Sequence, residues 1–424
     1  MEYKEIDKGS YNIHLIKTDN YKEVVVKIYL KKPIKREDIT MRNILVDVLT
    51  YSTKNYNTNK LLNIREQELY SSNVTANNYR FGNYLTTVFS IDILNDKYTE
   101  KGNMEEAIKL LSEVMYNPNV ESKRFDSKVV NIAKKDNKEY LERLKENTAL
   151  FSSIRLSEEM DKKRPSSLRM CGYLEDLKDI NATNLYKHYR DMIDSSMMDV
   201  YVVGNINFLE MEKIITTNFS SKVLKKKRIG YYLDEKKPLR KPIIITEKDN
   251  HNQSKLAIGC RIKKLTRFEE QYVLPVYNLI LGGTTGDSRL FRIVREKYSY
   301  AYYIYSSQYK LDRTLLIRAG ISKENLKKVI RLVDDIMIDI KRGKLTENDL
   351  KKAKAILLSN MNVVNDNPYN VINMYYSIDT LGEDDLVTAR KMIKKVTKKD
   401  IVAVAKKIKM DTIYCLEGDA SWKK

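Results

Sequence analysis

The order of secondary-structure signals along this 424-residue chain occurs twice, and this repetition constrains the fold more than any other feature. Each copy reads as a strand, a helix, a second helix and two further strands. In the first copy these are "EVVVKIYL", "MRNILVDVLTYST" and "LLNIREQELYSSNVTANNYRFGNYLTTVFSIDI"; in the second they are "SKLAIGCRI", "YVLPVYNLILGG" and "LFRIVREKYSYAYYIYSSQYKLDRTLLIRAGI". A shift of 230 positions places Arg295 and Glu296 on Arg65 and Glu66. We therefore predict two copies of one domain.

The sequence beyond these segments supports the duplication. Both copies continue with an amphipathic helix, "MEEAIKLLSEVMYNP" and "ENLKKVIRLVDDIMIDI", and both end with a helix followed by a strand. Between the copies, the Lys-rich stretch 221–242 contains Pro238 and Pro242 and is predicted to be a linker. The predicted domains are therefore 1–220 and 243–424. Helices gathered against a mostly antiparallel sheet suit this order of elements, so the predicted fold class is α+β.

The charge and the cysteine content indicate the cellular compartment and the classes of partner that can be expected. The formal net charge is +20, but the lysines are scattered and many lie near acids, and no nucleic-acid-binding signature is present. No apolar run approaches the roughly 18 residues that a membrane span needs. Three cysteines, Cys171, Cys260 and Cys415, are odd in number and far apart, which is typical of a reducing compartment. We expect a cytoplasmic protein with neither a membrane nor a nucleic acid as partner.

One segment, "RLFRIVREKYSYAYYIYS" (289–306), combines a charged helix end with an aromatic strand. An apolar helical face precedes Arg295, and aromatic and β-branched residues from Tyr300 onward favour a strand. Regular alternation would place Tyr302 and Ile304 on one strand face, opposite Ala301, Tyr303 and Tyr305. Taken alone, the segment also fits a plain helix-to-strand turn with half-buried tyrosines.

The wider segment "LILGGTTGDSRLFRIVREKYSYAYYIYS" resembles the C-terminal-domain signature of the insulinase/pitrilysin (M16) metallopeptidases: a glycine turn, Ser-Arg-Leu-Phe, Arg-Glu and Ala-Tyr. The resemblance implies two homologous M16-like domains that form half of a clam-like chamber. Short members of this family pair two chains, as in mitochondrial processing peptidase and bacterial two-subunit peptidases. A phosphate-binding reading of "LGGTTG" is less favoured, because no Gly-Lys-Ser/Thr helix start follows it.

The family's catalytic mark, His-x-x-Glu-His, is missing at the expected place. Asn43 and Asp47 stand where the histidines belong, and Val46 stands where the general base belongs. Catalytic zinc takes three protein ligands and needs a base for its bound water, which Val46 cannot be. Either Glu139 or Glu142 is the candidate remnant of the third ligand, with the register open. The resemblance thus implies that this chain holds no cofactor and is not a peptidase by itself.

The resemblance also implies a role for Arg295 and Tyr302. In the family, an Arg and a Tyr seven residues later contact substrate at a zinc site in another domain. Arg295 would donate to peptide carbonyls, and Tyr302 would donate to the oxyanion. In the first copy the Tyr position falls on Ser72.

The predicted function is that of a non-catalytic, substrate-binding subunit in a bacterial heterodimer. Its partner would be a zinc-bearing M16 peptidase, and its substrate a peptide or unfolded polypeptide, held by strand addition. The alternative is a hydrolysis-free peptide-binding scaffold or chaperone that acts as a homodimer. Such a scaffold would have no need of an oxyanion donor.

Overall fold

The structure is a computed structural model that describes residues 1–221, 229–283 and 286–418. Its strands are β1 (Glu2–Asp7), β2 (Tyr11–Lys17), β3 (Glu23–Pro33), β4 (Val74–Phe81), β5 (Tyr84–Leu94), β6 (Val120–Glu121), β7 (Arg124–Phe125), β8 (Met197–Gly204), β9 (Ile243–Asp249), β10 (Ser254–Ile262), β11 (Ala301–Tyr309), β12 (Thr314–Ile321) and β13 (Ile408–Gly418).

The α-helices are α1 (Arg36–Leu49), α2 (Asn59–Glu68), α3 (Asn103–Tyr116), α4 (Ser127–Glu142), α5 (Thr148–Met160), α6 (Ala182–Ser195), α7 (Phe208–Asn218), α8 (Leu274–Leu281), α9 (Leu326–Lys341), α10 (Glu347–Asn362), α11 (Pro368–Leu381), α12 (Leu386–Lys395) and α13 (Lys398–Lys406). Two segments are π-helical, Glu269–Val273 and Phe291–Lys297. Single 3₁₀ turns occupy Arg143–Glu146, Pro165–Ser167, Leu174–Asp179, Lys310–Asp312, Lys323–Asn325 and Val364–Asp366.

The chain divides into two compact units, each assembled from three chain segments. The first comprises Met1–Arg143, Arg169–Tyr231 and Val364–Tyr376; the second comprises Leu144–Leu168, Tyr232–Val363 and Ser377–Lys424. The boundaries 1–220 and 243–424 remain a prediction about the duplicated sequence, and residues 222–228 of the predicted linker 221–242 lie outside the described residues. Each unit thus includes a helical segment from the other half of the chain.

The two units have sheets with the same strand order. Starting from the hairpin edge, the first sheet runs β4-β5-β3-β8-β2-β1, and the second runs β11-β12-β10-β13-β9. The pairing senses agree as well, since β2–β8 and β9–β13 are parallel while the other pairs in these sheets are antiparallel. β1 is an additional edge strand of the first sheet. The α+β prediction of mostly antiparallel sheets packed with helices is confirmed.

The central strand of the first sheet is buried on both faces. Val24, Val26 and Ile28 of β3 belong to the core that the sheet shares with helices such as α1, α3 and α6. The intervening Val25 and Tyr29 face the start of α11, in a second cluster that contains Val371, Ile372 and Tyr376. Because neighbouring strand residues point to opposite faces, this two-sided burial explains why "EVVVKIYL" is apolar on both faces apart from Glu23 and Lys27.

The second sheet is likewise covered on both faces. Leu256, Ile258 and Cys260 of β10 point into the main core of this unit. On the opposite face, α5 packs on β10 and β13. The approach is close at Gly259, where an added Cβ would lie 2.5 Å from the Met160 sulfur. A helix from the first half of the chain therefore completes the second unit.

Two absences concern the described residues. No helix among them is long and apolar enough to cross a bilayer. Cys171, Cys260 and Cys415, which all lie in the described part of the chain, form no disulfide.

Candidate functional site

Arg295 and Tyr302 lie side by side at a helix-to-strand turn of the second unit. Arg295 belongs to the π-helical segment Phe291–Lys297, and Tyr302 is the second residue of β11. The turn between them is fixed by backbone hydrogen bonds from Ser299 N to Arg295 O (3.0 Å) and from Tyr300 N to Val294 O (3.0 Å). The Arg295 guanidinium carbon lies 5.7 Å from the centre of the Tyr302 ring, within cation–π range.

Tyr302 occupies a β-bulge, which the sequence did not predict. Ala301 pairs with Ile321, and Tyr303 pairs with Gly320, so β11 has one extra residue between them. The expected alternation is therefore wrong: Ala301 and Ile304 point together into the core, and Tyr302 does not share a face with Ile304. A bulge places two residues opposite one and re-aims the extra side chain. Here it leaves Tyr302 72% exposed.

The polar groups of the pair are available. The side chains of Arg295 and Tyr302 make no hydrogen bond or ion pair with any residue in the described ranges. Besides Tyr302, the guanidinium of Arg295 lies over the Phe291 ring, 4.8 Å from its centre. Ring contacts hold the guanidinium in place without using its five N–H donors. This pair can therefore donate hydrogen bonds to a ligand without first breaking internal ones.

The corresponding residues of the first unit are engaged in internal contacts. Arg65 donates to Glu106 at 2.8 Å and to Glu68 at 3.2 Å. Ser72 stands at the Tyr position and is fully buried. The first copy thus presents neither a free guanidinium nor a phenol at this place.

The residues at the position of the lost zinc motif lie on α1. The amide of Asn43 donates to Met170 O at 2.9 Å, and its oxygen accepts from Asn78 at 3.2 Å. Val46 is buried and offers no donor atom. The hydrogen bonds of Asn43 thus connect α1 to neighbouring chain segments.

Asp47 is the one ionisable residue of this set. Although Asp47 keeps an exposed surface, desolvation by the surrounding protein raises its pKa to about 6, and the charge of Asp136 adds to the effect. The two residues proposed as remnants of the third ligand pair instead with lysines of their own helix: Glu139 with Lys135 at 3.9 Å, and Glu142 with Lys138 at 3.7 Å. The acid of α4 that raises the pKa of Asp47 is Asp136. Asp136 lies one helical turn before Glu139, and this spacing is the sequence signal that could have identified it.

None of the three histidines occupies the zinc-motif position on α1: two make internal contacts in the first unit, and the third lies in the second unit. His14 is buried, stacks on Tyr201 with 4.1 Å between ring centres, and contacts the hydroxyl of Tyr3 at 2.7 Å. His188 accepts from Arg42 Nε at 3.2 Å, and burial together with Arg42 lowers its pKa to about 3. His251 lies beside Asp249 in the second unit.

These residues do not fit a catalytic zinc ion. An amide already engaged on both atoms, a valine and one carboxylate supply neither three ligands nor a general base. Within residues 1–221, 229–283 and 286–418, no group of three or more His, Cys, Asp or Glu side chains could hold a metal ion.

The glycine turn before the π-helical segment is fixed by close packing. A Cβ on Gly282 would lie 2.5 Å from Leu290 Cδ1, and Gly282 O accepts a hydrogen bond from Ser306 N. Thr284 and Thr285, at the tip of the turn, lie outside the described residues. The turn thus ties the helix that precedes it to β11.

Comparison with known proteins agrees with this arrangement. The family profile described as "Peptidase M16 inactive domain" matches residues 179–357. A relative from Bacillus subtilis (strain 168), "Probable inactive metalloprotease YmfF", is 28% identical over 422 residues, with 97% of this chain and 96% of the relative covered.

Two solved structures show the same fold. The crystal structure of a conserved protein from Enterococcus faecalis V583 is 25% identical, has a TM-score of 0.91, and covers 99% of this chain and 100% of its own. The peptidase M16 inactive domain from Pseudomonas fluorescens has a TM-score of 0.81 at 15% identity, with full coverage of both chains.

The duplicated sheets, the lack of a zinc ligand set on α1 and these matches make the chain similar to M16-type proteins of the inactive class. The family profile covers residues 179–357, and its match confirms the resemblance to the M16 metallopeptidases seen in the glycine-turn and Arg-Glu signature.

Proposed function

We propose that this chain is the non-catalytic, substrate-binding subunit of a heterodimeric M16 peptidase in the cytoplasm. In this proposal a partner subunit holds the zinc ion, and Arg295 and Tyr302 act on the substrate bound there. The observation that carries the proposal is the contrast between the two copies. The pair is exposed and uncommitted in the second unit, whereas the zinc-motif position of the first unit has no ligand set.

The chemistry of the two groups suits peptide hydrolysis. A guanidinium fork donates to peptide carbonyls, and a phenol donates to the oxyanion that develops when water attacks. Two lysines add positive charge near the turn: Lys297 lies over the Tyr298 ring and Lys328 lies over the Tyr300 ring, and these two rings stack on each other. Donors held in place by ring contacts and a bulge lose little freedom when substrate binds.

The edge of the sheet supports a peptide substrate. β11 is the outermost strand of the second sheet, so one side of its backbone has no strand partner among the described residues. An extended peptide can add to such an edge through main-chain hydrogen bonds. Tyr302, at the bulge near the start of β11, would then lie beside that peptide.

The test uses the full chain reconstituted with a zinc-bearing partner that carries His-x-x-Glu-His. Tyr302→Phe removes one oxygen and keeps the ring, and we expect kcat to fall by about 10²–10³-fold, the range for loss of an oxyanion donor. Arg295→Lys keeps the charge but loses the fork, and we expect a smaller fall. Neither change should alter the mass of the complex or its melting temperature.

The matched control is Tyr300→Phe, two residues away, whose ring stacks on Tyr298. We expect this variant to keep normal turnover. Normal turnover in Tyr302→Phe as well would refute the proposed role of the pair. A chain that binds peptides as a homodimer and gains no activity from any zinc-bearing partner would favour the scaffold alternative.

A further inference from the structure

A cavity of about 330 Å³ opens in the second unit at the opposite end of β11 from Tyr302. It lies between the end of β10, the start of the helix that leads into α8, and the hairpin between β11 and β12. Its apolar lining comes from Ile262, Leu265, Leu274 and Leu381. The volume is at the lower end of the range of small-molecule pockets in proteins.

The charged lining is mostly cationic, and two of its cations are already paired. Arg267 donates to Asp384, and Lys310 pairs with Glu383. Glu270 is the acid in the lining, and it accepts a hydrogen bond from the Tyr232 hydroxyl. The remaining cations, Lys263, Lys264 and Arg313, form no ion pair with any residue in the described ranges. The cavity therefore has an unbalanced positive charge beside an apolar wall.

Arg313 is the least satisfied of these groups. Its Nε is buried and has no hydrogen-bond partner. Leaving a buried donor unpaired is costly, so an anion that reaches this nitrogen gains a charge-assisted bond without breaking an internal one. Burial and Glu270 raise the pKa of the Tyr232 hydroxyl, and the positive charge of Arg313 partly offsets this increase.

The backbone that carries Arg313 is held firmly. Arg313 has a left-handed conformation, with φ of 52°, at the turn after Lys310–Asp312. Its N–H donates to Lys310 O at 3.1 Å, and its carbonyl accepts from Ile262 N at 2.8 Å. These bonds tie the hairpin to the end of β10. The guanidinium is therefore presented from a fixed backbone position beside the apolar wall.

We propose that this cavity is a binding site for a carboxylate attached to a small apolar group, with Arg313 as the anchor. The apolar group would lie against Ile262 and Leu274, and the carboxylate would face Arg313 and the two loop lysines. Two sources share this chemistry: the C-terminal residue of a peptide and a free branched-chain carboxylic acid. Tyr302 lies eight residues before Lys310, or about 26 Å along the strand, so this site is separate from the Arg295–Tyr302 pair and does not rest on its proposed role.

The experiment is isothermal titration of the full chain with matched ligands. N-acetyl-Ala-Leu as the free acid should bind, and the same peptide as the C-terminal amide should bind at least about tenfold more weakly, because the amide cannot form the charge-assisted bond. Titration with 4-methylpentanoate separates the sources. Binding as tight as that of the peptide acid indicates a free carboxylic acid, and weaker binding indicates a peptide C-terminus.

Arg313→Gln should weaken binding of the acid by about tenfold or more while leaving the melting temperature unchanged. The matched control is Arg331→Gln on α9, which removes an equal charge from a side chain that is 86% exposed and should leave binding unchanged. If Arg313→Gln does not fold, the double variant Lys263→Gln/Lys264→Gln on the exposed loop decides, with weaker binding expected. Equal binding of acid and amide, unchanged binding in these variants, or equally tight binding of inorganic phosphate would each overturn the proposal.

Discussion

The ion pair between Lys31 and Asp199 should be the most sensitive polar contact of the first unit. Lys31 is 1% exposed, and its ammonium donates to Asp199 and lies 3.3 Å from the Tyr231 hydroxyl. Asp199→Ala would leave this ammonium buried with a phenol and the Tyr376 ring, 5.4 Å away, as its remaining neighbours. Removing one partner of a buried pair typically costs about 3–5 kcal/mol, because the other charge is left uncompensated.

The double variant Lys31→Met/Asp199→Leu removes both charges and should cost much less than Asp199→Ala. Buried pairs replaced by apolar residues of similar volume are often close to neutral in stability, since the desolvation penalty disappears with the charges. With the single variants Lys31→Met and Asp199→Leu completing the cycle, the expected coupling energy between the two positions is at least about 2 kcal/mol.

The assay is urea unfolding of the full chain followed by far-UV circular dichroism, with amide hydrogen exchange in β3 and β8 to assign the loss to the first unit. The matched control is Glu105→Ala, which breaks an exposed pair with Lys109 on α3 and should cost under about 0.5 kcal/mol. A loss below about 1 kcal/mol in Asp199→Ala, or additive effects in the cycle, would show that the pair is weakly coupled and would refute this reasoning.

Two further predictions concern acid and packing. Burial alone would raise the pKa of Asp199, but Lys31 and then His14 outweigh this effect and lower the pKa. The stabilisation from Asp199 is therefore full above about pH 4 and is lost as the pH falls further. Asp199→Asn should accordingly flatten the fall in unfolding free energy below about pH 4. Gly259→Ala should destabilise the second unit by about 1–3 kcal/mol, because its Cβ would meet Met160 on α5, whereas Gly230→Ala, with no atom within 4 Å, should be nearly neutral by the same urea assay.

The sequence predicts the repeated elements well because each carries its own periodicity. The strand β3, the helix α1 and the hairpin β4–β5 are found where the pattern places them, as are their counterparts β10, α8 and β11–β12. The sequence likewise places Arg295 at the end of a helix and Tyr302 near the start of the following strand, as the structure has them. Local signals are sufficient where a feature is decided by neighbouring residues.

Three features were not predictable, since each depends on distant residues. An amphipathic helix reads the same whichever sheet it covers, so the placement of α5 in the second unit leaves no local signal. The bulge at Tyr302 is set by the register with β12, while "AYYIYS" reads as an ordinary alternating strand. Lys31 and Asp199 are 168 residues apart, and each alone resembles a surface residue of a strand.

The two copies differ in which of their polar side chains are constrained by stability. Both copies keep a buried cation–acid contact between equivalent strands: Lys31 with Asp199 across β3 and β8, and Arg261 with Asp411, at 3.4 Å, across β10 and β13. A buried charge must keep its partner or be replaced together with it, so such a contact is constrained by stability in both copies.

An exposed side chain is under no such constraint, because surface substitutions away from special features change stability by less than about 0.5 kcal/mol. Fold stability therefore requires neither the free guanidinium of Arg295 nor the exposed phenol of Tyr302. The first copy meets the same structural demands with Arg65 tied to acids and Ser72 buried. Stability alone therefore gives no reason for an exposed, unpaired Arg–Tyr contact at a bulge that the other copy lacks, and this is why we propose a ligand for it.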